Sequence, residues 1–206
     1  GYGIAAGRYL QALLKAGISL TWTPMVPGGG WGLGYEPFEG REIGDPELDG
    51  VCNKPVDYDT VIVHTVPEYY PLWAEREAGK GIIGYTVWET DRLPRHWPGL
   101  LNRMDRLLVP CRWNREVFAR CGVTRPIDVV PHLPDDRPLL PRKELGGNGS
   151  EDYVFYTIGT WTVRKALWNT IRSYLETFKR SDPVLLVVKT TARDFTRRSW
   201  SRLLEG

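Results

Sequence analysis

Through the middle of the chain, short apolar runs alternate with amphipathic segments. "TVIVHT", "GIIGYTVW", "DRLLVP" and "IDVVPH" are dense in Val, Ile and Leu, as in strands buried within a parallel sheet. Between them, "EYYPLWAEREAG", "RHWPGLLNRM" and "RWNREVFARCG" read as helices. Short strands separated by helices predict βαβ units. The opening "GYGIAAGRYLQALLKAG" sets Ala5, Ala6, Tyr9, Leu10, Leu13 and Leu14 on one helical face, with Gly17 as the expected C-terminal cap. A short strand is predicted over 18–23. Residues 24–55, which include "PGGGWGLGYEP", read as a long irregular loop, a length usually tied to function or mobility.

"PDDRPLLPRKELGGNGSE", residues 134–151, has the Pro, Gly and charge content of a linker. A second alternation follows: "YVFYTIG", a helix from Arg164 to about Arg180, "PVLLVVKT" and a final amphipathic piece. The predicted organisation is therefore an α/β domain over 1–133 with its first strand missing, a linker over 134–151, and the start of a second α/β domain over 152–206. The chain opens on Gly1 without a starting Met and stops in mid-pattern at "SRLLEG", so it reads as an internal fragment of a longer protein.

Composition narrows the class. With 206 residues, 42% hydrophobic and 25% charged, the chain can bury a proper core. A net charge of +2 gives no basic surplus for nucleic acid and no acidic tail. Cys52, Cys111 and Cys121 form no CxxC pair and leave an odd one over, which argues against a disulfide framework or cysteine zinc site and suits a cytoplasmic, reducing setting. His64, His96 and His132 are too scattered for a metal-ligand motif. No apolar run approaches the roughly 20 residues of a membrane span; membrane association stays open. Nine Trp and ten Tyr suit flat amphipathic ligands such as sugars, and equally suit a core.

Candidate chemistry collects at predicted strand ends, where parallel α/β folds bind ligands. In "GTWTVRKALWNTI", Arg164 and Lys165 fall in the expected first helical turn, where the helix dipole disfavours cations. An anion such as a phosphate, held also by free backbone amides, would reconcile them; a solvated basic pair is the plain alternative. The predicted buried stripe of that helix is Leu167, Ile171, Tyr174, Leu175 and Phe178. Gly1 and Gly3 could let a phosphate approach before a helix, or form a simple tight turn. His64 ends "VIVHT" and either donates to a hydroxyl or phosphate oxygen or serves as a structural histidine. Glu89, beside Trp88, either orients a sugar or pairs with an arginine. His132 closes the last strand before the linker, and the linker acids Asp135 and Asp136 read as solvated.

Taken in order, these segments resemble the retaining glycosyltransferases of family 4, which have the GT-B fold of two Rossmann-like parallel-sheet domains. "GYGIAAGRYLQALLKAGISL" is similar to their glycine loop and first helix. "TVWETDRLPRHWPGLLNRMDRLLVPCRWNREVFARCGVTRPIDVVPH" is similar to the stretch leading to their interdomain hinge, and "YVFYTIGTWTVRKALWNTIRSYLETFKRSDPVLLVVKT" to the opening of their nucleotide-sugar domain. The resemblance covers nearly the whole chain; the second domain would be truncated. It implies transfer from a nucleotide diphosphate sugar to a carbohydrate or other hydroxyl acceptor, with no cofactor, no essential metal and no nucleic-acid partner. By that resemblance Arg164, Lys165, Gly1 and Gly3 contact the donor diphosphate. His64 aids the donor sugar as the catalytic-site residue, and Glu89 and Trp88 lie on the acceptor side. Two departures stand out: Leu133 where the family has Gly after "Ph", and Cys111 where it has Ser. The family's acidic EX7E pair and base pocket fall beyond Gly206, so the fragment alone is expected to be inactive. A nonenzymatic sugar- or nucleotide-binding two-domain protein is the alternative. A dinucleotide oxidoreductase is disfavoured, because no GxGxxG follows a strand.

Overall fold

The computed structural model describes residues 2–134 and 152–191. Two compact units, Gly1–Arg137 and Pro138–Gly206, divide the chain, and each is described by itself. The final amphipathic piece and most of the predicted linker, with Asp135 and Asp136, lie outside the described residues.

The first unit opens with α1 (Tyr2–Lys15), which ends as its sequence predicts. Gly17 adopts φ +76°, and the amides of Gly17 and Ile18 bond to the carbonyls of Leu14 and Leu13, each at 3.0 Å. The strand predicted over 18–23 does not form; the segment makes one bridge, Trp22 to Cys52, before Pro24 removes the next donor. Nor are residues 24–55 structureless. β1 (Met25–Pro27) and β2 (Tyr35–Pro37) pair antiparallel, and α2 (Pro46–Asp49) is capped by Asp45, whose carboxylate accepts from the amides of Glu47 and Leu48.

The alternating segments form one four-stranded parallel sheet: β3 (Thr60–His64), β4 (Gly81–Tyr85), β5 (Arg106–Val109) and β6 (Ile127–Val129), side by side in chain order. A 3₁₀ turn (Pro67–Tyr69) and α3 (Tyr70–Arg76), then α4 (Trp97–Leu101) and α5 (Arg112–Arg120), supply the crossovers. With consecutive strands adjacent, right-handed crossovers bring all three helices to one face. The core lies there: Val63, Ile82, Leu107 and Val109 from the strands meet Tyr70, Trp73, Trp97, Leu101, Val117 and Phe118 from the helices. Gly84 is required in this layer, because a Cβ there would lie 2.6 Å from the Tyr70 ring.

Strand residues of opposite parity face the other way. Ile62 is 50% exposed and Ile83 and Leu108 are half-buried, although the sequence pattern predicts burial on both faces. His64 and Tyr85 share this second face, and α1 crosses it at the carboxyl end of the strands.

The second unit is a βαβ unit. β7 (Tyr153–Ile158) and β8 (Val184–Lys189) pair in parallel, joined through a 3₁₀ turn (Val163–Lys165) and α6 (Leu167–Thr177). Leu167 is buried and Ile171, Tyr174 and Phe178 are partly buried as predicted, but Leu175 is 67% exposed. At 3.6 residues per turn Leu175 falls about 80° round the helix from Leu167, off the buried stripe. Each unit is thus α/β, and the first is Rossmann-like in its parallel sheet. Among the described residues no helix is long and apolar enough to cross a membrane.

Candidate functional site

Strand carboxyl ends in a parallel sheet point backbone groups and the first loop residues at a common edge. In the first unit this edge gathers side chains from three distant parts of the chain. His64, the last residue of β3, stacks on Tyr85, the last residue of β4, with ring centroids 4.5 Å apart and planes 14° from parallel. From α1, Tyr2 and Tyr9 close over the His64 ring edge-on, at 5.3 and 5.9 Å. His132, just past β6, lies 6.1 Å from Tyr85. Residues 2 and 9 are two helical turns apart, so both reach the same edge from one face of α1.

The hydroxyls are linked as well as packed. Tyr85 donates to the Val130 carbonyl at 2.6 Å, while the Tyr9 oxygen sits beside the Tyr85 oxygen, 2.9 Å from the Pro131 carbonyl and 3.2 Å from His132 Nδ1. Each phenol has one proton to give. Tyr85 gives its proton to the Val130 carbonyl and Tyr9 gives its proton to the Pro131 carbonyl, which leaves the two phenol oxygens and His132 Nδ1 in close contact around them. Burial lowers the His64 pKa to about 4, with the neighbouring His132 adding to the effect. Its imidazole is therefore neutral at physiological pH. Burial, followed by the Tyr9 contact, pushes the Tyr85 phenol far above its ordinary value. His64 and Tyr85 are thus uncharged at the centre of this edge, where they offer hydroxyl and imidazole groups for hydrogen bonding.

A second polar layer lies beneath Tyr2. Its hydroxyl is 3.0 Å from Thr86 Oγ1, and Thr86 is 1% exposed. The fully buried Tyr70 hydroxyl, next in, has no hydrogen-bond partner among the described residues. Glu68 accepts from His96 Nε2 and Trp97 Nε1, both at 2.8 Å. Burial raises its pKa, but these two hydrogen bonds outweigh that, and the carboxyl ends below its usual range.

The other predicted residues of this unit flank the edge. Trp88 turns its N–H inward, to Thr90 Oγ1 at 2.7 Å and the Arg92 carbonyl at 2.6 Å, and packs edge-on against Trp97 at 4.6 Å. Its polar edge is occupied in bracing the loop after β4. Glu89 is exposed on that loop, near enough to Tyr2 to help raise the phenol's pKa, an effect led by burial. Gly3 corrects one expectation: helix α1 already begins at Tyr2, so Gly3 lies in its first turn and not in a glycine turn before it. It is exposed and its Cβ position is open. Gly1 lies outside the described residues.

In the second unit, Arg164 and Lys165 are not in the first turn of the helix as the sequence predicts. They occupy the 3₁₀ turn before it, and Ala166 at φ 50° separates them from α6. A left-handed alanine costs about 1–2 kcal/mol, and it redirects the chain so that α6 starts with uncharged Leu167, Trp168 and Asn169. Both cations are exposed, and the Lys165 stem lies against Gly159 at the carboxyl end of β7. The dipole conflict inferred from the sequence is thereby relieved.

His64 and His132 were legible as candidates from sequence; Tyr2, Tyr9, Tyr85 and Thr86 were not. The available signal was the seven-residue spacing of Tyr2 and Tyr9 and the placement of Tyr85 at a strand end. Among the described residues, no group of three or more His, Cys, Asp or Glu side chains is placed to hold a metal ion. These features define a parallel α/β unit with a hydroxyl-rich carboxyl edge as its candidate site. No protein-family model, curated protein or solved structure matches the chain.

Proposed function

We propose that this chain is part of a GT-B glycosyltransferase that moves a sugar from a nucleotide diphosphate sugar to a hydroxyl acceptor with retention at the anomeric carbon. The observation that carries this reading is the cluster of Tyr2, Tyr9, Tyr85 and His132 gathered around a neutral His64 at the carboxyl edge of the sheet. Neutral donors and acceptors of this kind suit sugar hydroxyls. In this reading a neutral His64 hydrogen-bonds a hydroxyl of the transferred sugar, and Glu89 with the loop braced by Trp88 borders the acceptor. Arg164 and Lys165, exposed beside the carboxyl end of β7, engage the donor diphosphate and stabilise the charge that builds on it as it leaves. The ordered segments quoted above, from the first helix to the opening of the second unit, support the same reading.

Phosphorus and proton NMR titrations of the full chain with millimolar UDP, GDP and their glucose and mannose conjugates test it. Binding is expected, weakened at least tenfold by Arg164→Ala with Lys165→Ala. His64→Ala is expected to weaken the sugar conjugates more than the free diphosphates. Absence of binding by every compound, or binding indifferent to the basic pair, overturns the proposal.

A further inference from the structure

The Gly-rich hairpin is not used by the carboxyl-edge cluster, and it presents an indole to solvent. Gly28, Gly29, Gly30, Gly32 and Gly34 surround Trp31 between β1 and β2. This loop is braced, not slack. The Glu36 side chain fills the space that side chains at 28 and 30 would take, 2.2 and 2.6 Å from their Cβ positions. Its carboxylate accepts from the Gly30 amide at 2.7 Å, and the Tyr69 hydroxyl donates to the Leu33 carbonyl at 2.7 Å. Held this way, Trp31 stands edge-on to Trp73 at 5.5 Å and 6.3 Å from Tyr69, and stays partly exposed.

Trp31, Leu72, Glu75 and Arg76 line a depression of about 240 Å³ along α3. The Arg76 guanidinium lies 5.5 Å from the centre of the Trp73 ring and 4.0 Å from the Glu77 carboxylate. Glu75 is exposed and has no hydrogen-bond or ion-pair partner among the described residues. The depression therefore offers an aromatic and aliphatic wall, a free acceptor, and a guanidinium donor held near an aromatic ring.

One small-ligand class uses all three. A pyranose has an apolar C–H face that packs on an indole, and a rim of hydroxyls that both donate and accept. A free anion would meet Glu75, and a free cation would meet Arg76. Sites for nucleotides and other drug-sized ligands are clefts of about 300–1,000 Å³, larger than this open depression, whereas one sugar ring suits its size. We propose that Trp31, Leu72, Glu75 and Arg76 form a surface subsite for one neutral pyranose unit of a glycan. Indole stacking supplies most of the affinity, Glu75 accepts from ring hydroxyls and Arg76 donates to them. The subsite is separate from the carboxyl edge: Arg76 ends a crossover helix that runs back toward the amino ends of the strands.

The test is an NMR titration of the full chain with neutral mono- and disaccharides of glucose, galactose and mannose, read on the indole N–H resonances. Trp31→Phe assigns its own signal. Wild type is expected to bind one or more of these sugars with millimolar affinity, shifting the Trp31 signal. Trp31→Ala is expected to abolish binding, but Trp31 also packs on Trp73, so two exposed variants stand beside it. Glu75→Gln and Arg76→Ala should each weaken binding at least threefold with the amide spectrum otherwise unchanged. No saccharide binding at tens of millimolar, or binding that survives Glu75→Gln and Arg76→Ala, overturns the subsite. Saccharide binding that persists when nucleotide diphosphates fail to bind would sink the glycosyltransferase reading and leave this one standing.

Discussion

Replacing Gly84 with alanine should destabilise the first unit, although the same change in most strand interiors is favourable. Gly84 lies in β4 at an ordinary negative φ, so backbone strain plays no part. Removing an interior strand glycine normally gains about 0.5–1 kcal/mol. Here the new methyl carbon would stand 2.6 and 2.8 Å from two atoms of the Tyr70 ring and 3.0 Å from Leu107. Tyr70 is fully buried, so the ring cannot swing out of the way without displacing the core. Overpacking of this kind costs about 1–3 kcal/mol, and three close contacts favour the upper half of that range. The net expectation is a loss of about 1–2 kcal/mol. Gly81, on the same strand, is the control: its Cβ would meet nothing closer than 3.6 Å, so Gly81→Ala should be neutral or slightly stabilising. Tyr70→Leu removes the colliding ring atoms. In that background Gly84→Ala should change sign and stabilise, a coupling within the about 0.5–3 kcal/mol seen for residues in contact. Urea unfolding gives the midpoints, and hydrogen exchange of the β4 and β5 amides reports this unit separately from the second. Gly84→Ala at or above wild-type stability, or the same effect with and without Tyr70, would refute the packing argument.

Proton NMR of the His64 ring should show it neutral down to about pH 4, since burial lowers its pKa to about 4. Unfolded histidine takes its proton near 6.5, so between those values the unfolded chain holds more protons and stability should fall as pH drops through that window; titration near 6.5 would contradict the burial of the stack. Tyr85→Phe removes the 2.6 Å bond to Val130 and the Tyr9 contact, and should cost about 1–2 kcal/mol in urea unfolding while speeding amide exchange in α1. With a thiol-reactive dye, exposed Cys111 should react first, and Cys52, 2% exposed and with its thiol pKa raised by burial, should stay unmodified until the chain unfolds.

The strands of the sheet were legible because each is a local pattern: Val and Ile runs ending at polar or turn residues describe β3 and β5 within a residue at each end, while "IDVVPH" overruns β6 by three residues. "GIIGYTVW" predicts too long a strand: the Thr86 amide still reaches the Leu108 carbonyl, but by Trp88 the chain has turned into a loop braced by an indole bond to the Arg92 carbonyl, which periodicity does not encode. The turn at Arg164 was misread for another local reason. Alanine is the strongest helix former, so nothing at Ala166 signals the left-handed backbone that breaks the helix there. Tyr9 was assigned to the apolar face of α1, which is where it lies, yet its hydroxyl bonds to residues 76 and 123 positions away. Pairings at that range leave no trace in spacing, so His64 was visible as a strand-end histidine while the phenols around it were not.

The strand order has a consequence for how the protein is made. Since β3 to β6 lie side by side in chain order, each strand leaving a ribosome finds its neighbour already synthesised, and the sheet can grow in one direction, one crossover at a time. The first helix is the exception. Synthesised before everything it touches, α1 has no fully buried residue, and it must wait for Tyr85 and then for His132 before Tyr9 has partners. The carboxyl edge with its tyrosines is therefore the last part of this unit to mature and the first that a mild denaturant should open, while the sheet beneath stays intact.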